Sequence, residues 1–469
     1  KNLMYADWIA SGRLYGPIED TMRNNIGPMV ANTHSFSSET GKASTYAYRH
    51  ARNIIKKHVN AGNDDILVTS GTGMTGVLAR LQRIMGLRWP DGIKDRIQLK
   101  EEEERPVVFI SHMEHHSNQV SWMETIADVV IVSSDNNGLI SLENLEAKLE
   151  KYANRSMKIG AFTACSNVTG IITPYQEIAR IMHRNGGICI VDFAASAPYV
   201  TMDMHPADTE AYLDGILFSP HKFLGGPGSC GVLVFHKSLY KTTSPDVPGG
   251  GNVLWTNPDG EFKYHEDIEV KEDGGTPGFL QVMRCALAIN LKDEMNVDSI
   301  ARRERTLLKR CFEMLSKIPG LEILGDKEVP RIGCVSFHIK NIHYNLVVRL
   351  LNDRFGIQTR GGWSCASTYA HSLFDISAES SMEITQGIDN KCLEQKPGWV
   401  RLSLHPTMTD KELECICDAI AQVVLNIDDW GEDYKYNLAT NEFDHIIHND
   451  EILMKEVENW FAVPSAVAL

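Results

Sequence analysis

Seven short apolar runs between residues 65 and 236 constrain this chain more than any other feature of its sequence. They are Ile66–Thr69, Val107–Ile110, Val129–Val132, Gly160–Thr163, Ile188–Val191, Ile216–Phe218 and Val232–Phe235. Helical stretches such as Leu142–Tyr152 and Tyr175–Asn185 lie between several of these runs. Near-continuous apolar strands that alternate with helices are typical of a mostly parallel sheet covered on both faces. The sequence therefore predicts an α/β fold.

The pattern changes after residue 280, where a long helical stretch with a break near Asn296 is followed by strand-like pieces at Val335–Ile339 and Val400–Leu404. This predicts a smaller α+β domain, and a chain of 469 residues is long enough for two domains. We predict a large domain at 30–278, a small domain made of 1–29 with 279–429, and a C-terminal tail at 430–469. A polar insertion at 370–398 is predicted to be a lid or an interface.

Charge and cysteine content limit the classes of partner and compartment. The net charge is -15 and the basic residues are scattered among acids, which argues against nucleic acid and against an anionic membrane surface. No apolar run approaches the roughly 20 residues that a membrane-spanning helix needs. The ten cysteines show no paired metal-ligand spacing. Free thiols in a reducing, cytoplasmic setting are therefore expected.

Polar or glycine-rich residues follow closely after five of the apolar runs. These clusters are Ser70–Gly73, Ser111–Asn118, Ser166–Asn167, Asp192 and Ser219–Lys222. One polar loop after a strand would mean little, because surface loops are polar in any protein. The carboxyl ends of parallel strands meet at one edge of the sheet, where ligands bind in folds of this kind. Five such clusters predict one site.

Lys222 and Asp192 indicate the chemistry of that site. A desolvated lysine has a lowered pKa and can form an imine with a carbonyl group. A lone lysine in a glycine-rich loop is more often an ordinary surface residue. An aspartate at another strand end, 30 residues earlier, changes that balance, because a carboxylate can pair with the protonated ring nitrogen of pyridoxal 5′-phosphate. The pair predicts pyridoxal 5′-phosphate held as a Schiff base on Lys222.

Two further motifs allow more than one interpretation. Ser70–Thr75 opens a helix, so Thr72 and Gly73 are candidates for a phosphate cradle, although a tight strand–helix turn is the simpler alternative. The histidine-rich segment His112–His116 suggests a metal site. Its spacing does not fit the zinc-protease patterns, so no metal is predicted there. A flat imidazole at a strand end can instead stack on the ring of a cofactor.

Together these motifs resemble the class V aminotransferase family of pyridoxal phosphate enzymes, and within it the cysteine desulfurase and selenocysteine lyase branch. The resemblance runs from Tyr5–Ala6–Asp7 to about Leu413 and implies the fold type I architecture. It implies that His115 stacks on the cofactor ring and acts in catalysis. The other implied cofactor contacts are Asn167 to a ring oxygen, Asp192 to the ring nitrogen, Ser219 and His221 to the phosphate, and Thr276 to the phosphate of a neighbouring subunit. The last contact implies a homodimer with shared sites.

Two more motifs in the resemblance bear on the substrate. Thr359–Ala366 is similar to the desulfurase loop whose cysteine, here Cys365, forms a persulfide. Trp399–Ser403 is similar to the strand whose arginine, here Arg401, holds the carboxylate of the amino acid, a task suited to a guanidinium. We predict Arg360 as a second substrate-binding residue that also favours the Cys365 thiolate. A protein that accepts the sulfur is a further implied partner.

Three functions are compatible with these residues. The leading interpretation is cleavage of a C–S or C–Se bond to give alanine through a Cys365 persulfide. The alternative is a lyase, epimerase or transaminase that uses Lys222 without Cys365, and a third is a scaffold without catalytic activity. One departure bears on the cofactor, because the family's glutamine three residues after the aspartate is Ala195 here. That contact is either absent or taken over by Ser196.

Overall fold

The computed structural model describes residues 3–96, 102–394, 396–447 and 450–462. Small parts of three predicted regions lie outside the described residues. They are residues 1–2 of the small domain, residue 395 of the insertion, and residues 448–449 and 463–469 of the tail. None of the helices within it combines the length and the apolar character that crossing a lipid bilayer requires. All ten cysteines are free thiols.

The strands are numbered in chain order. They are β1 (Met4–Tyr5), β2 (Asp65–Ser70), β3 (Val107–Ser111), β4 (Asp128–Val132), β5 (Lys158–Thr163), β6 (Ile188–Asp192), β7 (Gly215–Phe218), β8 (Gly231–His236), β9 (Val253–Thr256), β10 (Phe262–Tyr264), β11 (Leu321–Ile323), β12 (Cys334–Ile339), β13 (Ile357–Gln358), β14 (Arg360–Gly362), β15 (Trp399–Ser403), β16 (Tyr434–Asn437) and β17 (Glu442–His445). All seven predicted apolar runs are strands, because their continuous apolar residues suit a sheet that is buried on both faces.

The α-helices follow the same convention. They are α1 (Gly16–Thr21), α2 (Glu39–His58), α3 (Met74–Ile84), α4 (His116–Met123), α5 (Leu142–Lys151), α6 (Tyr175–Arg184), α7 (Ile268–Lys271), α8 (Phe279–Met295), α9 (Val297–Leu315), α10 (Tyr344–Leu350), α11 (Ser367–Leu373), α12 (Ala378–Asp389), α13 (Asp410–Leu425), α14 (Ile427–Gly431) and α15 (Glu451–Trp460). The predicted break at Asn296 separates α8 from α9, and Asn296 has a positive φ of 63° there. Its side chain caps α9 by accepting from the Ser299 amide.

The largest sheet has seven strands in the order β2-β8-β7-β6-β5-β3-β4. The strands from β7 to β4 pair in parallel, and β8 pairs antiparallel with both of its neighbours. Since β2 is reversed twice relative to β7, it runs in the same direction as the parallel strands. The carboxyl ends of β2, β3, β5, β6 and β7 therefore lie along one edge, and the predicted polar clusters begin there.

Apolar side chains cover both faces of this sheet. On one face, alternate strand residues such as Phe109 and Val191 pack in a buried cluster with side chains of α2, α5, α6 and α8. On the other face, the intervening residues such as Ile110 and Ile190 pack with α3 and with Trp122 of α4. This three-layer arrangement keeps the sheet rigid and leaves its carboxyl edge open for a site.

A second sheet of four antiparallel strands, in the order β11-β12-β15-β14, packs with α9, α10 and α13 around a separate apolar cluster. The first strand, β1, pairs in parallel with β13 beside this cluster. The division into domains at residues 29, 278 and 429 stays a prediction. The buried side chains of α8, just after residue 278, belong to the cluster under the large sheet.

The predicted insertion and tail contain regular structure that the sequence analysis left undefined. The insertion begins in α11, contains α12 and ends just before β15. The tail contains the β16–β17 hairpin, whose Tyr434 packs in the apolar cluster around the four-stranded sheet. Its last helix, α15, has no buried residue and presents Ile452, Leu453 and Met454 to solvent. The tail is thus docked through its hairpin.

Candidate active site

A cavity of about 480 Å³ opens at the carboxyl edge of the large sheet. This volume is within the range of small-molecule sites. The predicted residues that line it are Thr72, Gly73, His115, Asn167, Asp192, Ser219, His221, Lys222, Arg360, Cys365 and Arg401. Thr276 is not among the described residues of the lining; it lies exposed in the loop after α7. One chain therefore brings together every predicted site residue except Thr276.

Lys222 lies in a single 3₁₀ turn, Pro220–Lys222, directly after β7. Pro220 starts this turn, and the Lys222 amide donates to the Ser219 carbonyl at 3.0 Å. Burial lowers the pKa of Lys222 to about 8, although the nearby Asp192 carboxylate acts in the opposite direction. A large share of its side chain is consequently a neutral amine at mildly alkaline pH, which is the form that reacts with carbonyl groups.

Asp192 is the last residue of β6, where the strand delivers its carboxylate to the cavity. One carboxylate oxygen accepts from the Ala194 amide at 2.7 Å. Burial raises the pKa of Asp192 to about 6, while the Ala194 amide and Lys222 oppose that rise. A buried carboxylate of this kind is stabilised by a cationic partner in the cavity.

The amino end of α3 points at the cavity beside the Lys222 turn. The Met74 amide donates to Ser219 Oγ at 2.9 Å, and His221 Nδ1 lies 2.7 Å from the Thr72 carbonyl. A Cβ atom on Gly73 would lie 3.0 Å from the His221 ring and 3.1 Å from Ser219 Oγ, so a larger residue here would push against both side chains. Amides at a helix start, hydroxyls and an imidazole form a site suited to an anionic group such as phosphate.

His115 caps α4, and its Nδ1 accepts from the Ser117 amide at 3.1 Å. Burial, with the positive charge of Lys222 nearby, lowers the pKa of His115 to about 4. The ring is therefore neutral at physiological pH. A neutral imidazole that lines the cavity can stack against a flat ring without adding charge.

Glu114 hydrogen-bonds to the carboxyl ends of β3 and β5 and is not among the site residues predicted from the sequence. Its carboxylate is fully buried and accepts from the amide and hydroxyl of Ser111, the Thr163 amide at 3.0 Å and the Asn118 side chain at 2.8 Å. Burial raises the pKa of Glu114 to about 7. The group joins the ends of β3 and β5 to α4. An acid three residues after a fully buried strand was the available signal.

Cys365 is exposed and lies in a tight bend between β14 and α11. Ser364 and Cys365 both have positive φ, 50° and 58°. The bend is held in place because Asn167 Nδ2 donates to the Ser364 carbonyl at 2.7 Å and the His116 amide donates to the Cys365 carbonyl at 2.7 Å. The backbone of Cys365 is thus held at the rim of the cavity, and its side chain is exposed.

Arg401 and Arg360 lie side by side on the paired strands β15 and β14. Arg401 is buried, and its Nη1 donates to the Asn167 carbonyl at 3.0 Å. Both arginines also contact Asp7. Its carboxylate accepts from Arg401 Nη2 at 2.9 Å and from Arg360 Nε at 3.0 Å. This role of Asp7 was not predicted, since nothing local to the residue indicates a partner so distant in the chain.

Two buried polar atoms of the site have no hydrogen-bond partner in the described part of the chain, Asn167 Oδ1 and Arg401 Nε. Both residues line the cavity, so a polar ligand there can satisfy them. Ala195 also lines the cavity, whereas Ser196 is buried with an unpartnered hydroxyl and is not among the described lining residues. Within residues 3–96, 102–394, 396–447 and 450–462, no cluster of three or more histidine, cysteine or acidic side chains could hold a metal ion.

Comparison with known proteins adds independent findings. Residues 4–416 match the family model described as aminotransferase class-V. A probable cysteine desulfurase of Halalkalibacterium halodurans is 30% identical over 370 residues, which are 78% of this chain and 84% of that protein. A probable cysteine desulfurase of Staphylococcus epidermidis is 28% identical over 374 residues, again 78% of this chain and 84% of that protein.

Solved structures share the architecture. The apo structure of a cysteine desulfurase from Thermococcus onnurineus aligns with a TM-score of 0.73 at 22% identity and covers 90% of this chain and 95% of that one. A cysteine desulfurase from Escherichia coli aligns with a TM-score of 0.70 at 21% identity and covers 90% and 94% of the two chains. At these identities the likeness concerns the fold.

Proposed function

This chain belongs to the aminotransferase class-V family, and from that membership we propose that it is a pyridoxal phosphate enzyme that removes sulfur from cysteine. The observation that carries the proposal is the meeting of Lys222, Asp192, Arg401 and Cys365 in one cavity. A lysine–aspartate pair alone would serve many reactions of the family. A solvent-reachable thiol opposite them favours desulfuration over the reactions that need Lys222 alone.

The residues that line the cavity suit three parts of pyridoxal phosphate, which are its phosphate, its aromatic ring and its carbonyl group. The start of α3 with Thr72, Gly73, Ser219 and His221 would hold the phosphate, and the unpartnered amide oxygen of Asn167 marks a polar contact still to be made. His115 would lie against the ring and Asp192 would pair with the ring nitrogen. When bound, pyridoxal phosphate supplies an electron sink for a carbanion at the substrate's α-carbon.

Arg401 would bind the substrate's carboxylate. Its guanidinium is buried and already oriented by Asp7 and by the Asn167 carbonyl, and one N–H lacks a partner among the described groups. A preoriented guanidinium loses little entropy when a carboxylate docks. Arg360 would border the same substrate on the side of the Cys365 bend.

Lys222 would carry the proton that leaves the α-carbon. Its lowered pKa of about 8 makes the neutral amine available as a base near neutral pH. The Cys365 thiolate would then attack the substrate's sulfur, so that an S–S bond forms while the C–S bond breaks. The electrons of that C–S bond stay on the carbon fragment, which takes up a proton and leaves as alanine. Selenocysteine offers the same geometry and is the second candidate substrate.

Three wider features belong to the same proposal. The chain would form a homodimer in which Thr276 reaches the phosphate of the neighbouring site, in keeping with its exposed position away from its own cavity. A persulfide on exposed Cys365 could be passed to an acceptor protein. The free thiols fit a reducing, cytoplasmic setting.

The test is incubation of the holoenzyme with cysteine, selenocysteine, cysteine sulfinate and other amino acids, with assays for alanine, sulfide, selenide and keto acid. We expect alanine with stoichiometric sulfide in the presence of a thiol reductant. Keto acid without alanine would overturn the proposal in favour of transamination, and sulfide without alanine would favour another lyase reaction.

A further inference from the structure

The end of the polar insertion is fastened to the bend that carries Cys365. Trp363 Nε1 donates to the Pro397 carbonyl at 2.5 Å, and Lys396 Nζ lies 4.4 Å from the centre of the Trp363 ring. Trp363 is buried, and its carbonyl accepts from the Ala366 amide at 2.9 Å across the bend. Lys396 is thus held over a residue that lies two positions before the exposed thiol.

Lys396 and Cys365 interact through their charges. Burial lowers the pKa of Lys396, and the negative charge of Cys365 opposes that effect because it favours the ammonium form. Burial also lowers the pKa of His116, and the charge of Lys396 adds to that effect. The His116 amide donates to the Cys365 carbonyl at 2.7 Å. The ammonium group therefore lies close both to the thiol and to the histidine that holds its bend.

No acid in the described part of the chain offsets the charge of Lys396. Cys365 is the one described group whose charge shifts the pKa of this lysine. Glu394, two positions earlier, is exposed and acts on Tyr436, where burial and that carboxylate both raise the pKa. The ammonium group therefore has the sulfur as its anionic partner.

The two arginines near the bend already share an acid. Arg360, which the sequence predicts as the residue that favours the thiolate, donates through Nε to Asp7, and Arg401 donates to the same carboxylate. Two guanidinium groups and one carboxylate leave one positive charge, which the substrate's carboxylate on Arg401 would neutralise. Little of the charge of Arg360 is then left for the sulfur.

The remaining ionisable groups of the cavity balance one another. The pKa of Lys222 is about 8 and that of Asp192 about 6, both shifted by burial, so the two are mostly ionised with opposite charges at pH 7. His115 is neutral there, because burial lowers its pKa to about 4. Lys396 is not among the described residues that line the cavity. It reaches the Cys365 bend from the insertion instead.

We propose that the insertion places Lys396 beside Cys365, where its ammonium group stabilises the negative charge of the thiolate and, after sulfur transfer, that of the persulfide. A cation next to a thiol favours the thiolate, which is the nucleophilic form. Lys396 acts through Cys365 and is thus a positioning residue. The inference rests on the proposed function only in taking Cys365 as the reactive thiol. It gives the insertion a part in the chemistry beyond that of a lid or an interface.

The test measures how fast iodoacetamide alkylates Cys365 between about pH 6 and about pH 10 in the full-length protein incubated with pyridoxal phosphate. Mass spectrometry of the Cys365 peptide identifies the product, since other cysteines are also exposed. Lys396→Gln removes the charge from a half-buried side chain. We expect its alkylation rate at pH 7 to fall about fivefold and the pH midpoint to rise by about 0.7, with equal rates above both midpoints.

Two further variants complete the comparison. Lys396→Arg, which keeps a cation over the Trp363 ring, should restore the wild-type profile. Lys391→Gln is the matched control, because Lys391 is an exposed lysine of the same insertion, and its profile should equal that of the wild type. Lys396→Met keeps the apolar packing on Trp363 and replaces Lys396→Gln if that variant does not fold.

Alanine formation from cysteine separates this inference from the proposed function. We expect Lys396→Gln to lower kcat about fivefold at pH 7, with recovery at high pH and little change in KM. An unchanged alkylation profile in the folded variant would overturn the inference, even if the wild type releases alanine. A loss of equal size at every pH, without rescue by Lys396→Arg, would mean a purely structural role and would also overturn it. A shifted profile with no alanine from the wild type would support Lys396 and overturn the proposed function.

Discussion

A single amine, Lys222, gives the site a testable pH dependence. Burial lowers its pKa to about 8 from the usual 10.5, and only the neutral amine forms an imine. At pH 7 roughly one tenth of the amine is neutral, and the fraction rises with pH until it saturates above about pH 9. The rate of covalent incorporation of pyridoxal phosphate into the apoenzyme, measured by absorbance after mixing, should follow this rise.

One variant tests this prediction and a second serves as its control. Lys222→Ala should retain no cofactor after borohydride reduction and desalting, whereas Lys237→Ala, which removes an exposed lysine paired with Asp64, should behave as the wild type. A rate that keeps rising through pH 10 would contradict a lowered pKa, since that is the behaviour of a solvated lysine.

Cys365 separates the two leading reactions. Cys365→Ser should abolish the release of alanine from cysteine while leaving cofactor binding and its visible spectrum intact, because the thiol acts only after the α-proton has been removed. Alanine formation and the spectrum are measured on the same samples. Cys392→Ser is the matched control, since Cys392 is also exposed and free. Full turnover of cysteine by Cys365→Ser would point to a lyase or transaminase that uses Lys222 alone.

Individual site residues differed in how far the sequence could reveal them. Lys222, Asp192 and His115 each lie within five residues after an apolar run, so the rule that ligands bind at strand ends was enough to bring them together. Asp7 pairs with a residue 394 positions away, and such a contact has no local signature. The pinned bend at Cys365 was also missed, because its restraint comes from Asn167 and His116.

At the scale of elements, the start of α3 offers a prediction about the cofactor's phosphate. Gly73→Ala would add a methyl group 3.0 Å from the His221 ring and so push against the side chains that frame the proposed phosphate site. We expect the affinity for pyridoxal phosphate to fall by roughly tenfold, a loss of about 1.4 kcal/mol, with an unchanged melting temperature of the apoenzyme. Equilibrium titration of the cofactor measures the effect.

Gly76→Ala in the same helix is the comparison, because its nearest neighbour would be 3.7 Å from the added methyl group. Its cofactor affinity should remain close to that of the wild type. Equal losses in both variants would indicate a general effect of bulk at this helix.

Strands and helices were predictable where the spacing of apolar residues marks a buried face. The seven strands of the large sheet and the helix break at Asn296 were predicted correctly, and the family and fold are confirmed. The reversed direction of β8 was not predicted, because an apolar run looks the same in either orientation. Helices α11 and α12 were not predicted either. Helix α11 has only seven residues, and α12 has no buried residue.

At the scale of the whole molecule, the proposed homodimer with shared sites predicts complementation. Lys222→Ala and Thr276→Glu chains should each be inactive alone. Mixed and refolded in equal amounts, they should form dimers with one intact site, which restores about a quarter of the wild-type activity if association is random. Light scattering checks the dimer mass. The absence of any recovery in verified mixed dimers would mean that each chain completes its own site.

The pairing of the first residues with the last part of the fold has a consequence for how the protein is made. Asp7 is synthesised before nearly all of the fold, yet its partner Arg401 comes 394 residues later, and Ser403, whose amide donates to the Ala6 carbonyl, follows Arg401. The Gly12 amide likewise donates to the His221 carbonyl at 2.9 Å, so the same segment also holds the lysine turn. Contacts so distant in sequence form slowly, because a long loop must close first. The large sheet can therefore assemble during translation, while the catalytic pocket is completed only after it.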